Sequence, residues 1–285
     1  MAFEQINVLV GLIVSLLLAI YAFKKRELTD GGTIAAWFIG VSVFAFGGWT
    51  WLGLLVLFFL SSALLTRYKE KSKQDAYAEF AKGGTRDFWQ VVANGALPAL
   101  IAVAYFLDSN PALFAAYAAV IATATADTWA TELGVLSKHT WLVTTFRKSK
   151  AGVSGAVSMR GLAASLAGAT FIALSAIILN IFNNSLDFSI LGSLFYDQFV
   201  GGGRFLLLVA VGGFAGALAD SFFGATIQAQ FYCTKCRVAT EKTVHKCGLK
   251  TKLTRGIRQV DNDSVNFFST FVGGAIAFAL SSLLI

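Results

Sequence analysis

The sequence predicts an all-α integral membrane protein, a polytopic helix bundle of about eight spans, on three observations. Fifty-six percent of the 285 residues are hydrophobic, more than a soluble domain carries. The apolar residues gather into eight stretches, most long enough to cross a hydrocarbon core about 30 Å thick at about 1.5 Å per residue. All of the 23 Lys and Arg residues except Arg204 fall in four alternate loops between those stretches or, for Arg160, in the first turn after one of those loops. The 27 glycines and two prolines suit close-packed membrane helices.

The spans are read in order as Ile6–Phe23, Gly32–Gly47, Trp49–Leu65, Val91–Leu107, Leu113–Trp129, Val157–Ile181, Phe205–Phe222 and Val265–Ile285. The first has no basic residue before it and no small-residue cleavage pattern after it, so it reads as retained. The second and third are short and meet at Gly47 and Gly48, as a tight hairpin or a re-entrant pair would. Lys24, Lys25 and Arg26 follow the first span, and six bases from Arg67 to Arg86 follow the third. Five from Lys138 to Arg160 follow the fifth, and eight from Lys235 to Arg258 follow the seventh. By the positive-inside rule these four loops are cytoplasmic and both termini lie outside. The whole chain, 1–285, then forms one membrane domain, with a cytoplasmic loop at 230–258. The plasma membrane of a bacterium or archaeon is the expected location. The net charge of +7 reflects juxtamembrane bases facing lipid headgroups, not a nucleic-acid partner.

Carboxylates cluster at the same cytoplasmic side. A charged side chain in hydrocarbon costs about 2.5–3.5 kcal/mol on insertion scales, so such residues default to a functional reading. On span five, Thr123, Asp127 and Thr131 share a helix face, and Glu132 follows. On span seven, Gly216, Asp220, Gly224 and Gln228 form a small-polar stripe. The segments Ala124–Trp129 and Ala217–Phe222 both read A-x-A-D-[S/T]-aromatic, 93 residues apart, which suggests a parallel internal repeat. Coincidence in an Ala-rich chain competes with that reading. Span eight opens with Asp261, Asn262, Asp263 and then Asn266. One of these suits a helix N-cap, and the set suits Mg²⁺ bridging to phosphate. Interhelical pairing of Asp127 is the competing structural reading. Gly152, Ser154, Gly155 and Ser158 form a Gly/Ser-rich run, which is either a phosphate cradle or a hairpin turn. Spacing and topology alone thus indicate an anion or metal site at the inner face.

All three cysteines lie in the last cytoplasmic loop, as Cys233-x2-Cys236-x8-His245-x-Cys247. Four such ligands within 15 residues fit a closed, structural Zn²⁺ site. Free thiols with an incidental histidine are the alternative. A cytoplasmic loop disfavours disulfides.

Six motifs carry a resemblance. They are Lys25-Arg26-x-Leu28-Thr29, Arg86-x3-Gln90-x3-Asn94-Gly95, Asp127-Thr128-Trp129-x2-Glu132-x-Gly134, Gly152-x-Ser154-Gly155-x2-Ser158, Asp220-Ser221-x2-Gly224-x3-Gln228 and Asp261-Asn262-Asp263-x-Val265-Asn266. Together they resemble the transmembrane protein 19 family, which includes the chloroplast phytyl-phosphate kinase of tocopherol synthesis. The resemblance covers nearly the whole chain. It implies an integral membrane kinase that converts an isoprenoid (phytyl or prenyl) monophosphate to the diphosphate with a nucleoside triphosphate, CTP being one candidate. Two departures stand out: Asp263 stands where many relatives have Asn, and plant and animal relatives lack the cysteine cluster.

On that reading Asp127, Asp220, Asp261 and Asp263 hold Mg²⁺, and Glu132 assists a metal or orients a base. Asn94, Asn266, Ser154, Ser158 and Gln228 bind phosphate, while Lys25, Arg26, Arg86 and Arg160 neutralise it. The competing class is a transporter of a cation or phosphorylated lipid. Against it, the acids crowd one face, whereas transporter sites lie near the midplane.

Overall fold

The computed structural model describes residues 2–77, 84–184 and 191–284. Eight apolar helices stand at the eight expected places: α1 (Ala2–Lys24), α2 (Asp30–Gly47), α3 (Trp49–Arg67), α5 (Phe88–Leu107), α6 (Pro111–Gly134), α7 (Met159–Asn184), α8 (Leu191–Thr226) and α9 (Asn262–Leu284). A short polar helix, α4 (Glu70–Tyr77), lies between α3 and α5. Among the described residues, seven helices have the length and apolarity to cross a membrane, and the Leu9–Lys24 portion of α1 is a shorter apolar helix.

Local chemistry sets the helix boundaries. Thr29 caps α2, its hydroxyl accepting from Gly32 N at 3.1 Å. Asp87 caps α5 through Gln90 N at 2.9 Å, and Asn110 caps α6 ahead of Pro111 through Ala112 N at 2.9 Å. Ser158 accepts from Gly161 N at 3.0 Å and opens α7. Gly48 at φ +82° makes the break between α2 and α3, a conformation that a side chain would strain.

Helix α6 is the hub. It packs against α3, α5, α7, α8 and α9, and Ala115 to Ala126 are all buried. Small residues allow this crowding: a side chain at Gly216 of α8 or Gly273 of α9 would collide with Thr123 of α6. Thr123 is therefore a packing residue, fully buried, with its hydroxyl donated to Ala119 O. The core continues through Trp51, Tyr117 and Ile121, and the Tyr117 hydroxyl donates to Trp51 O at 2.6 Å.

The basic loops are more structured than an all-α reading anticipates. The loop between α6 and α7 forms an antiparallel sheet of β1 (Thr140–Leu142), β2 (Lys148–Ser149) and β3 (Ala156–Val157), in the order β2-β1-β3. The loop between α8 and α9 forms a second one of β4 (Gln230–Cys233), β5 (Val238–Thr240) and β6 (Lys252–Arg255), in the order β5-β4-β6. Both sheets sit at the end of the bundle where the four basic loops gather. The strands are two to four residues long, too short for a periodicity of two to show in the sequence.

Candidate functional site

A cavity of about 390 Å³ opens at the basic end. Asp127 and Asp220 face each other across α6 and α8, within hydrogen-bonding reach. Ser269 of α9 donates its hydroxyl to Asp220 Oδ2 at 3.0 Å, which ties the third helix to the pair. Asp263 and Asn266 on the first turns of α9 are buried and line the same cavity. Three of the four expected Mg²⁺ carboxylates, from three helices, thus line one cavity. The fourth, Asp261, also lines the cavity but is the N-cap of α9. Its Oδ1 accepts from Ser264 N at 3.0 Å and from Ser264 Oγ at 2.8 Å.

The expected phosphate binders divide. Arg86, Asn94, Ser154, Ser158 and Gln228 line the cavity. Ser158 does so while capping α7, and Asn94 Nδ2 donates to Gln90 O at 3.1 Å. Arg86 is held beside Glu27 at 3.4 Å and over the Phe59 ring at 5.2 Å. Burial pushes its guanidinium below the ordinary value, and Glu27 and Glu132 oppose that shift. Lys25, Arg26 and Arg160 do not reach the cavity; their side chains are exposed. Lys25 Nζ lies over the Tyr21 ring at 5.7 Å, and the backbones of the first two also make contacts: Lys25 O accepts from Arg67 Nη2 at 2.8 Å and Arg26 O from Thr85 Oγ1 at 3.1 Å. Arg160 sits on the outward side of the first turn of α7.

Glu132 lines the cavity but is engaged by protein groups. Lys73, fully buried, pairs with its Oε2 at 2.5 Å, and Thr66 donates to Oε1 at 2.7 Å. Lys73 also donates to Leu65 O at 2.6 Å, so this triad ties α4 to the ends of α3 and α6. The Gly/Ser run is a turn whose residues form part of the cavity wall. Gly155, at φ +79°, presses on Ala225 of α8 where no side chain could fit.

Glu241 and Arg255 are among the residues that the sequence does not single out. Glu241, after β5, lines the cavity and accepts from Ser154 Oγ at 2.7 Å and Gln228 Nε2 at 3.0 Å. Arg255 donates to Ser154 O at 3.0 Å and Gly224 O at 2.8 Å, locking the second sheet onto the Gly/Ser turn and α8. Both look like ordinary loop charges in sequence. The one available signal is that Glu241 lies inside the Cys/His cluster.

The cavity is not polar throughout. Away from the acids it runs between α1, α2 and α3, where Leu18, Ala19, Ile39, Leu52, Leu55 and Phe58 line it. Ser15 lies in this part, 4% exposed, and its hydroxyl has no hydrogen-bond partner among the described residues.

Cys233, Cys236, His245 and Cys247 converge with their donor atoms within 4.8 Å of one another. Cys233 Sγ and Cys247 Sγ are 3.6 Å apart, and His245 Nδ1 is 3.3 Å from Cys247 Sγ. A tetrahedral ion with bonds of about 2.3 Å to sulfur spaces its thiolates roughly 3.8 Å apart, so the set fits one metal ion. The His245 contact pulls the Cys247 thiol down to about 6, while hydrogen bonding to Cys247 pushes Cys236 up to about 11. Among the described residues this is the one group of three or more His, Cys, Asp or Glu side chains whose donor atoms converge closely enough to hold a metal ion.

Comparison with known proteins agrees with the architecture. The chain is 32% identical to Protein PGR of Arabidopsis thaliana over 280 residues, covering 93% of each protein. It is 30% identical to an uncharacterized membrane protein of Methanocaldococcus jannaschii, over 95% of this chain and 93% of that one. A Synechocystis membrane protein, also uncharacterized, is 36% identical over 54% of this chain and 61% of its own length. No solved structure matches the chain. The family model for integral membrane protein DUF92 matches residues 13–274, nearly the full length, and the chain therefore belongs to the DUF92 family of integral membrane proteins.

Proposed function

We propose that this protein is a membrane kinase that phosphorylates an isoprenoid monophosphate to the diphosphate, using a nucleoside triphosphate and Mg²⁺. The observation that carries the reading is the composition of one cavity. Carboxylates, amides and Arg86 line its basic end, and apolar side chains of α1, α2 and α3 line the rest. A lipid phosphate has that same division, with an anionic head and a hydrocarbon tail. The resemblance to the phytyl-phosphate kinase family supplies the reaction class.

The donor set fits the ion. Asp127, Asp220 and Asp263 offer hard oxygen ligands at the cavity wall, which suit Mg²⁺ together with phosphate oxygens. When bound, Mg²⁺ would neutralise charge on the phosphates of the donor nucleotide. An oxygen of the lipid phosphate attacks the γ-phosphorus, the bond to the bridging oxygen breaks, and the nucleoside diphosphate leaves with that electron pair. The acceptor is already an oxyanion, so no residue has to remove a proton. Arg86 stabilises negative charge on the transferred group, and Asn94 and Asn266 orient phosphate oxygens. Lys73 and Thr66 hold Glu132, so Glu132 shapes the basic end and helps keep Arg86 in place.

The basic end faces the cytoplasm on this reading, where nucleotides are available, and both termini lie outside. Cys233, Cys236, His245 and Cys247 would hold Zn²⁺ in a structural role, since four protein ligands would leave it no open position. The test is a screen of purified protein with prenyl monophosphates of several lengths against ATP, CTP, GTP and UTP, with the diphosphate product detected directly. Formation of diphosphate with at least one nucleotide supports the proposal. No diphosphate with any combination, together with cation or lipid-phosphate flux in liposomes, would replace it with a transporter.

A further inference from the structure

We propose that a lipid phosphate enters the cavity sideways, from the membrane leaflet at the basic end, through a portal between α1 and α3, and that Arg67 receives its headgroup there. This rests on the lipid-phosphate reading above and deepens it, because it assigns the route and the first contact. The cavity is deep: Thr66 and Leu52 of α3 both line it and lie about 21 Å apart along the helix. Near the basic end it is open at the side. Leu18 and Tyr21 of α1 and Leu60 of α3 line it, yet they are 37%, 54% and 41% exposed. A side chain is both only where the cavity meets the outside of the bundle. All three lie within about 11 Å of the basic ends of their helices, Lys24 and Arg67. The packing agrees: α1 lies along α2, and among the described residues no comparable packing joins α1 to α3.

The portal has a charged lip. Arg67 follows the lining residue Thr66, ends α3 and is exposed. Its Nη2 pairs with Glu27 Oε1 at 2.5 Å and donates to Lys25 O at 2.8 Å. Glu27 Oε2 in turn lies 3.4 Å from Arg86 Nη1, on the cavity wall. Arg67, Glu27 and Arg86 thus form a relay from the rim to the interior, with a guanidinium at each end. A guanidinium has five donors in a fork that suits phosphate, and both contacts of Arg67 use Nη2. The apolar lips Leu18 and Leu60 suit a hydrocarbon tail, so the portal matches both halves of a lipid phosphate. A plain clasp between α3 and the turn after α1 would explain the Glu27 pair, but not the side opening next to it.

The experiment photolabels the full chain in phosphatidylcholine nanodiscs with geranylgeranyl monophosphate that carries a diazirine at the end of its chain. Adducts are mapped by mass spectrometry. Those that unlabelled geranylgeranyl monophosphate suppresses should fall on α1 at 15–22 and on α3 at 52–60. Leu18→Trp and Leu60→Trp, which narrow the portal from either side, should each slow labelling at least about fivefold. Arg67→Ala should weaken binding about fivefold, and Arg67→Lys, which keeps the charge, should restore part of it. Thermal unfolding of each variant shows separately whether it still folds. Suppressible adducts confined to α5 through α9, or an unslowed rate in both folded tryptophan variants, would overturn side entry and leave the lipid reading standing. Arg67→Ala that melts lower yet binds as before would make Arg67 a plain clasp and overturn its role. Equal suppression by phosphatidylglycerol would mean that the portal holds bilayer lipid, and would overturn the proposal. No suppressible adduct anywhere would remove the lipid-phosphate reading itself, and the portal with it.

Discussion

Asp127 of α6 and Asp220 of α8, 93 residues apart in sequence, come within hydrogen-bonding reach of each other on the wall of one cavity. Helices α6 and α8 can approach this closely because Gly213 and Gly216 of α8 rest against Ala122 and Thr123 of α6. A packing device made of small residues thus sets the spacing of two acids. Two carboxylates this close cannot both carry a charge unless a cation or a shared proton lies between them.

The first consequence concerns stability without divalent ions. Asp220→Asn removes one of two carboxylates that cannot both stay charged side by side, and keeps the size of the side chain and an acceptor for Ser269 Oγ. In chelator the variant should unfold a few degrees above the unaltered protein, roughly 2–4 °C for each kcal/mol gained in a chain of this size. Added Mg²⁺ should stabilise the unaltered protein and leave the variant nearly unmoved. Thermal unfolding in detergent measures both. A variant that melts lower in chelator would mean that the two acids support the fold rather than a ligand.

Lys73 and Glu132 give the opposite expectation. Their pair is buried, so removing one partner strands a charge. Lys73→Met should cost about 3–5 kcal/mol, whereas Lys73→Met with Glu132→Gln should recover much of the loss. The non-additivity in a double-mutant cycle is the measurement. Equal and additive losses would show that the pair is not coupled.

The Cys/His module should carry one zinc per chain by elemental analysis, and Cys247→Ser should lose it. Loss of zinc should open the loop between α8 and α9 to limited proteolysis while the helical bundle stays intact. Zinc-free protein whose loop resists protease as the zinc-loaded protein does would remove the structural role.

Topology is tested by accessibility. Single cysteines placed at Ser72, Lys148 and Lys250 lie on exposed positions of three basic loops. In a background with the native cysteines replaced, none should react with an impermeant reagent applied outside intact cells, and all should react after permeabilisation. Labelling in intact cells would invert the orientation and put the cavity on the wrong side for nucleotide.

Much of the fold and part of the site are legible in the amino-acid sequence, and the reason differs by residue. The helices show because hydrocarbon demands long apolar runs, and the acids stand out because hydrocarbon penalises them. Asp127, Asp220, Asp263 and Asn266 are therefore visible as a set. Bases at the membrane surface are not discriminated in that way. Topology alone explains Lys25, Arg26 and Arg160, which point to solvent, and it equally explains Arg86, which lines the cavity. Which base turns inward depends on helix rotation and loop fold, and neither is written in composition. Lys73 is the sharpest case, since it reads as a loop charge and is fully buried. Glu241 is hidden because its position depends on the loop between α8 and α9 folding back onto α8, a long-range event with no local pattern. Asp261 reads either as a cap or as a ligand, and the structure uses Oδ1 for the cap.

The most direct measurement of the central claim is diphosphate formation from a prenyl monophosphate and a nucleoside triphosphate by purified protein, with and without Mg²⁺, beside the Asp127→Asn, Asp220→Asn double variant. Mg²⁺-dependent product is expected from the unaltered protein and none from the double variant, which should still fold and keep its zinc. Full activity in the double variant would contradict the central claim.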